Sequence, residues 1–587
     1  MLEDGAIDIE RLAFVSTVIL AGLTFWLAPR LPMTDLPQHA AQVAIWHDLL
    51  LGQSKWQPIL YVNYFTPYLL GYGSALLLSF VLPVAIALKL VLALAYYGFV
   101  AACVALRRQL GSDRRLDWLF IPSFFGFAYA WGFYTFLVAA PIGVLFILVA
   151  HRYAVRPAVS SGVALALAGI VLFFAHGLVF LLGCLIGGVF LLLRCRLARL
   201  LPAALPYVAL GLWCLIYAVV RLRLETNPAD TPLGVFWGWD LSRLALLIYA
   251  VGRPEGPADA DWALTPLLLL MLVAPLVLAA RPNRRNLTAF VPLAATLVFA
   301  AILPDVMMNS SLAYQRFALF ALPFYALMFR APDPPASGGT VRRLWLPVLC
   351  WAILAVHAER LVAFTRESAS FDEVLAATRP QQRALGLVFD QASAAAGSPD
   401  VYVHFPLWYQ VEKAGLVDFN FAGYLPQVVR YRPDREPAMF KAGSWWLFRP
   451  ADRFDWTRDQ AAAYRYFFVR RAGPLPAGYF PAGRCAPVPL KSAGNWSVFE
   501  NVNCHEAADA TRCRLGWGRA TPVARQSLPD RISMTWRATG VARPQPTACA
   551  ACASRSAGDV SVPTHDACAS CASAAVRGRG RRSARHR

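Results

Sequence analysis

Pro32-Met33-Thr34-Asp35-Leu36-Pro37-Gln38-His39 is the first polar stretch after the chain's first long apolar run, residues 12 to 29. It sets an acid and an imidazole four residues apart, beside a segment long enough to be a membrane helix. Proline is well suited to the first turn of a helix, so Pro37 predicts a new helix with Asp35 at its mouth and His39 one turn further on. An acidic group held against a bilayer surface is the first functional candidate.

Working outward, the 587 residues are 58% hydrophobic and 15% charged, with a mean hydropathy of +0.47. Such a composition belongs to a polytopic membrane protein. The formal charge of +20 does not point to nucleic acid, because it is unevenly spread. Residues 505 to 587 hold fourteen Arg and no Lys against five acids, and much of the remaining excess lies in short loops between apolar runs, where it orients a membrane protein. The acidic leader, residues 1 to 11, has no basic region and no small-residue cleavage site follows residue 29, so the first run reads as a retained anchor. Cys103, Cys184, Cys214 and Cys350 fall in apolar runs and read as packing residues.

Apolar runs near 12–29, 84–106, 117–131, 133–150, 157–175, 177–194, 200–220, 263–280, 287–303, 316–330 and 343–360 predict about eleven crossings. The clusters Arg107-Arg108 with Arg114-Arg115, Arg152 with Arg156, Arg194 to Arg199, Arg281 to Arg285, and Arg342-Arg343 fall between alternate pairs of runs and can all be cytoplasmic. This parity puts the large first loop, 30–83, and everything after 361 on the outer side. Residues 59–82, rich in Tyr, Gly and Pro, read as interfacial or re-entrant rather than as a crossing.

The expected fold is therefore mainly α: a transmembrane domain over 1–360, a small extracytoplasmic α/β domain over 361–504, and a disordered Ala/Ser/Arg-rich tail over 505–587. In the α/β domain, Gln381 to Ala395 predicts a helix, and Val401 to Phe405, Arg465 to Arg470 and Trp496 to Phe499 predict strands. Cys485 and Cys504 could pair in an oxidising compartment or stay as thiols. Two CxxC pairs in the tail, Cys549/Cys552 and Cys568/Cys571, have zinc-ribbon spacing without the apolar residues a ribbon needs.

With this orientation polar residues collect on the outer face: Asp35 and His39, Lys89, Tyr129, Trp131 and Tyr134 at a hinge, His176 at a turn, and Arg316 in the last loop. Polar groups at membrane depth are costly, so their gathering suggests a shared cavity. Asp35 is the candidate catalytic base, with helix capping as its plainer alternative. Lys89 and Arg316 are candidates for holding a lipid phosphate, against simple snorkelling to the interface. His39 and His176 could orient the acid or contact phosphate, or be satisfied by backbone, and Tyr134 completes the substrate-binding set. Trp237-Gly238-Trp239-Asp240 could stack on sugar but also fits an aromatic belt. No Walker loop, Rossmann glycine pattern, Ser/His/Asp elbow or HExxH stands in a convincing context.

This pattern resembles the C-type (GT-C) glycosyltransferases, multispanning enzymes that use polyprenyl-phosphate-linked sugars. The resemblance is carried by Asp35 within Thr34-Asp35-Leu36-Pro37-Gln38-His39, an interfacial helix over about Gln38 to Leu51, Lys89 in Ala87-Leu88-Lys89-Leu90, and the water-side carboxy-terminal domain. It implies Asp35 as catalytic acid/base, Lys89 and Arg316 on the donor phosphate, a polyprenyl-phosphate sugar as donor, and a glycan, lipid or protein acceptor outside a bacterial inner membrane. A divalent metal is compatible with the family. Family members often carry an acidic pair in the first loop and a carboxylate in the second; here Leu36 follows Asp35, the next acid is Asp48, and Tyr129 to Tyr134 has none. Those gaps keep open a non-catalytic protein that binds or helps assemble surface polysaccharide, and, further off, a transporter or flippase.

Overall fold

The computed structural model describes residues 9–224, 235–238, 241–251, 261, 263–306, 311–333, 340–423, 426–432, 435, 450–456, 461–481 and 486–502. Cys485, Cys504, both CxxC pairs, Trp239, Asp240 and the 505–587 tail lie outside the described residues.

The first span is helix α1 (Ile9–Leu23), prolonged by a turn of 3-10 helix to Trp26. Helix α2 (Leu36–Leu50) starts where Pro37 predicts, and it is buried along most of its length. Residues 59–82 form a short strand, β1 (Leu60–Val62), and an 11-residue helix, α3 (Leu69–Ser79). At 1.5 Å per residue α3 is about 16 Å long, roughly half the hydrocarbon thickness of a bilayer. Then comes α4 (Val84–Leu110), which ends on Gly111 in the left-handed conformation, as helices commonly do.

The apolar run 117–131 does not make one helix. Pro122, Gly126 and Gly132 break it into 3-10 turns and two short helices, α5 (Phe120–Ser123) and α6 (Phe127–Trp131). Four long apolar helices follow: α7 (Tyr134–Val155), α8 (Val159–Ala175), α9 (Gly177–Arg194) and α10 (Leu197–Leu224). Helix α7 is the hub, packing on α4, α8 and α9. Its approach to α9 needs small residues: a Cβ on Gly143 would stand 2.5 Å from a methyl of Val179.

The run 263–280 is split by Pro275 into α11 (Thr265–Leu272) and α12 (Ala274–Val277), and 287–303 gives α13 (Val291–Ile302) behind a 3-10 turn. The run 316–330 yields the 10-residue α14 (Ala318–Leu327), and α15 (Thr340–Ser368) runs past the composition change at 361. Among the described residues six helices are long and apolar enough to cross a membrane, and Leu69–Ser79, Val159–Ala175 and Leu287–Ile302 are shorter apolar helices. Three of the eleven expected crossings, 117–131, 263–280 and 316–330, are thus short or broken pieces; hydropathy registers apolar length and not the Pro and Gly residues that interrupt the first two, whereas Pro323 lies inside the short α14.

The basic loops meet at one end of this bundle. Asn283 and Asn286 each donate to the Leu110 carbonyl at 3.1 Å, Arg194 reaches Asn286, and Arg107 pairs with Asp117 at 2.7 Å. A two-residue pairing of β2 (Arg281–Pro282) with β3 (Phe329–Arg330) closes the same end. Helices α4, α7 and α9 all finish there, so their amino-terminal ends, at Val84, Tyr134 and Gly177, lie at the opposite end.

Beyond α15, helix α16 (Ser370–Ala376) leads into a five-stranded sheet. Its strands are β4 (Arg383–Val388), β5 (Leu416–Asp418), β7 (Tyr466–Arg470), β8 (Val488–Ala493) and β9 (Trp496–Glu500), in the order β5-β4-β7-β9-β8. β4 is parallel to β5 and β7; β9 is antiparallel to β7 and β8. The expected strands at 465–470 and 496–499 are there, but the expected helix over Gln381 to Ala395 is β4 followed by turns. A central parallel strand is buried on both faces, so Ala384 and Val388 face one core and Leu385 and Leu387 the other, and the run lacks the polar alternation of a half-buried strand. Val401 to Phe405, expected as a strand, is instead a buried turn entering a 3-10 helix, Phe405–Leu407, with Pro406 in its first turn.

The sheet region is fastened to the first loop. Strand β1 pairs antiparallel with β6 (Val429–Tyr431), Leu60 opposite Tyr431. Gln42 on α2 accepts from Val429 N at 2.8 Å and donates to Val429 O at 3.2 Å, acting as a further rung of backbone. Arg30 bonds Glu412 and Asp372 (2.7 and 2.6 Å) over the rings of Phe371 and Trp408; Glu412 and Trp408 lie on α17 (Trp408–Lys413).

Candidate active site

Asp35 stands at the mouth of α2 and its side chain makes no capping hydrogen bond, so the carboxylate is not spent on the helix. Its backbone is pinned by the hinge: Asp35 N donates to Trp131 O at 2.8 Å and Thr34 N to Ala130 O at 3.3 Å. Gly132 makes this approach feasible. It has φ +85°, and a Cβ there would come within 2.9 Å of the amide nitrogens of Asp35 and Leu36.

The carboxylate faces a residue that the sequence did not single out. His404 Nε2 lies 3.4 Å from Asp35 Oδ1, with the imidazole buried and the Asp35 side chain 20% exposed. The tautomer follows from neighbouring bonds. Phe421 N–H donates to Gln38 Oε1 at 3.0 Å, which fixes the amide of Gln38, so Gln38 Nε2 is the donor 3.2 Å from His404 Nδ1. Nδ1 therefore accepts, and the ring proton sits on Nε2, toward Asp35. Burial pushes His404 down to about 3, which keeps it neutral at physiological pH.

Behind Asp35 lies a buried aromatic and polar shell. His39 Nδ1 is 2.7 Å from Tyr72 Oη, which donates to Gln427 Oε1 at 2.7 Å. Burial first, and then the nearby cation of Arg316, push His39 down to about 3. Arg316, also buried, lies with Cζ 3.9 Å over the Phe133 ring and donates to Ser311 O at 2.7 Å and Leu312 O at 3.2 Å. It hydrogen-bonds the hydroxyl of Tyr68 and is electrostatically coupled to Asp35. Tyr68 packs 5.1 Å from the ring of His176.

His176 accepts from Leu178 N–H through Nδ1 at 3.2 Å, as the N-cap of α9, which leaves its proton on Nε2. Among the described residues that buried Nε2–H has no hydrogen-bond partner, and neither has the hydroxyl of Tyr134, whose ring stands 5.8 Å from His39. Buried donors without acceptors are costly, so a pair of them in the same shell as an arginine could receive an anion. The amino-terminal ends of α2, α7 and α9, opening at Asp35, Tyr134 and His176, add their positive dipole ends.

Asp35, His39, Tyr134, His176 and Arg316, drawn from separate stretches of the sequence, thus form one group. Lys89 is placed differently. It donates Nζ to Ala28 O at 3.1 Å and lies 5.1 Å over the Trp26 ring, finishing the end of the first span. His404, Gln38, Tyr68, Tyr72 and Gln427 escaped sequence reasoning; only Gln38 and Gln42, four apart on one face of α2, hinted that this helix meets backbone. Among the described residues no three His, Cys, Asp or Glu side chains come together as metal ligands.

The sequence matches no protein-family model and no curated protein. Solved structures do resemble it. ArnT from Cupriavidus metallidurans bound to undecaprenyl phosphate is 13% identical over 84% of this chain and 97% of that one, with a TM-score of 0.51. The apo state of the same protein is 14% identical over 84% and 98%, with a TM-score of 0.50. A bundle of helices able to cross a membrane, joined to a β-sheet region and superposable along nearly the whole of ArnT, gives this chain a divergent form of the GT-C fold.

Proposed function

We propose that the chain is a membrane glycosyltransferase that moves a sugar from a polyprenyl-phosphate donor to an acceptor on the outer side of a bacterial inner membrane. The observation that carries this reading is the juxtaposition of an uncapped carboxylate with a buried arginine and two unpaired buried donors. The undecaprenyl phosphate bound to ArnT supports the choice of donor, and the gathering of basic loops at the far end supports an outward-facing recess.

In this mechanism Asp35 accepts the proton of an acceptor hydroxyl as its oxygen attacks the anomeric carbon. The bond from that carbon to the phosphate oxygen breaks, and the departing lipid phosphate keeps the electron pair. Arg316, the Nε2–H of His176 and the Tyr134 hydroxyl take up its charge. His404 holds the other side of the carboxylate through Nε2–H and is neutral, so it orients Asp35 without neutralising it. The neutral rings of His39 and Tyr72 form the wall. Lys89 is a further candidate for the lipid phosphate, since only one of the three donors of its ammonium is used by the bond to Ala28 O.

The test is transfer from a polyprenyl-phosphate sugar by purified full-length protein. Asp35→Asn is expected to lower it by roughly 10²–10⁴-fold with an unchanged melting temperature. Transfer that survives the substitution would remove Asp35 from the catalytic role, and no transfer by the unsubstituted protein would leave one that binds lipid-linked sugar without turning it over.

A further inference from the structure

Away from this recess, at the far end of α2, Ser54, Lys55, Gln57, Pro58, Arg432 and Arg435 line an open pocket of about 540 Å³. Its two halves come from distant parts of the sequence, joined by the β1–β6 pairing and by the bond from Arg432 N to Ile59 O at 2.8 Å. Three cations meet there and all are exposed, while none of the described lining residues is acidic. Asp434 and Glu436, neighbours of Arg435 in sequence, lie outside the described residues. Lys55 is oriented by a bond from Nζ to Gln381 O at 3.1 Å and by the Trp56 ring.

The approach to the pocket is apolar. Leu50 and Leu51, which lead into it, are exposed, and so are Leu77, Phe80 and Val81 at the turn from α3 to α4. The two segments touch where the His47 ring meets Phe80 at 5.0 Å. Since α4 is one of the spanning helices, this turn marks the level at which the chain leaves the hydrocarbon. Exposed apolar side chains on one side and clustered cations on the other match an amphiphile with a negative head, and not a free solute. The α2 helix spans about 22 Å between Asp35 and this pocket, too far for one head group to serve both.

We propose that this pocket is an anionic-lipid site: Lys55, Arg432 and Arg435 hold the phosphate head group of a membrane phospholipid whose acyl chains lie along Leu50, Leu51, Phe80 and Val81. Lipid bound there fixes the first loop and the sheet region at the bilayer surface.

The test is native mass spectrometry of full-length protein released from bilayers of mixed phosphatidylglycerol and phosphatidylcholine. Phosphatidylglycerol is expected to be retained preferentially, with preference falling about fivefold for each of Lys55→Gln and Arg432→Gln. Arg366→Gln, at an exposed cation on α15, should leave it unchanged. Equal retention of both lipids, an undiminished preference in the Lys55→Gln/Arg432→Gln double variant, or full displacement by millimolar inorganic phosphate overturns the proposal. Asp35→Asn separates it from the glycosyltransferase reading: lipid retention persists whether or not transfer is lost.

Discussion

At the scale of single residues, the site depends on keeping imidazoles neutral. His39 and His404 both stand at about 3 when folded, against 6.5 for a histidine in water. Between these values the unfolded chain binds the more protons, so the stability contributed by the two rings is complete above 6.5 and is lost as pH falls through that window. Melting temperature measured against pH should therefore drop on acidification, and His404→Gln should make the drop shallower. The same variant is expected to slow transfer by about tenfold, since the glutamine amide can still face Asp35 but is not pinned by Gln38. Asp35 itself was legible from its place after the first span and before Pro37. His404 was not, because the feature that matters is a contact between distant parts of the sequence, and nothing local to Val401-Tyr402-Val403-His404 announces it.

At the scale of elements, the hinge between α6 and α7 sets where Asp35 points. Gly132→Ala imposes a left-handed conformation on an L side chain, at about 1–2 kcal/mol, and also drives a methyl into the backbone of the first loop. Thermal melting and transfer should both suffer, whereas alanine at Gly188, where a Cβ meets nothing within 4 Å, should be neutral or nearly so. Helix α2 was readable because Pro37 and the apolar positions after it act locally. Strand β4 reads as helix in isolation because Arg383, Ala384, Leu385 and Leu387 favour helix intrinsically, and only the two flanking parallel strands and the cores on both faces reward extension.

At the scale of the whole molecule, the functional reading depends on which end faces out. Reporter fusions in the 107–116 loop should behave as cytoplasmic and those in the 51–58 loop as external; the reverse pattern would place Asp35 in the cytosol and remove the basis for an outer-leaflet reaction. The sequence by itself determined that the chain lives in a membrane, where its charged loops gather, and that Asp35 lies just past the first span, since hydropathy, charge and proline act through the nearest few residues. Tertiary structure alone decided which cation shares a recess with that acid and which imidazole faces it. Arg316 joins the group while Lys89 bonds Ala28 O beside the first span, and His404 comes from the segment between β4 and β5, because burial brings together residues whose separation along the chain carries no record of their meeting.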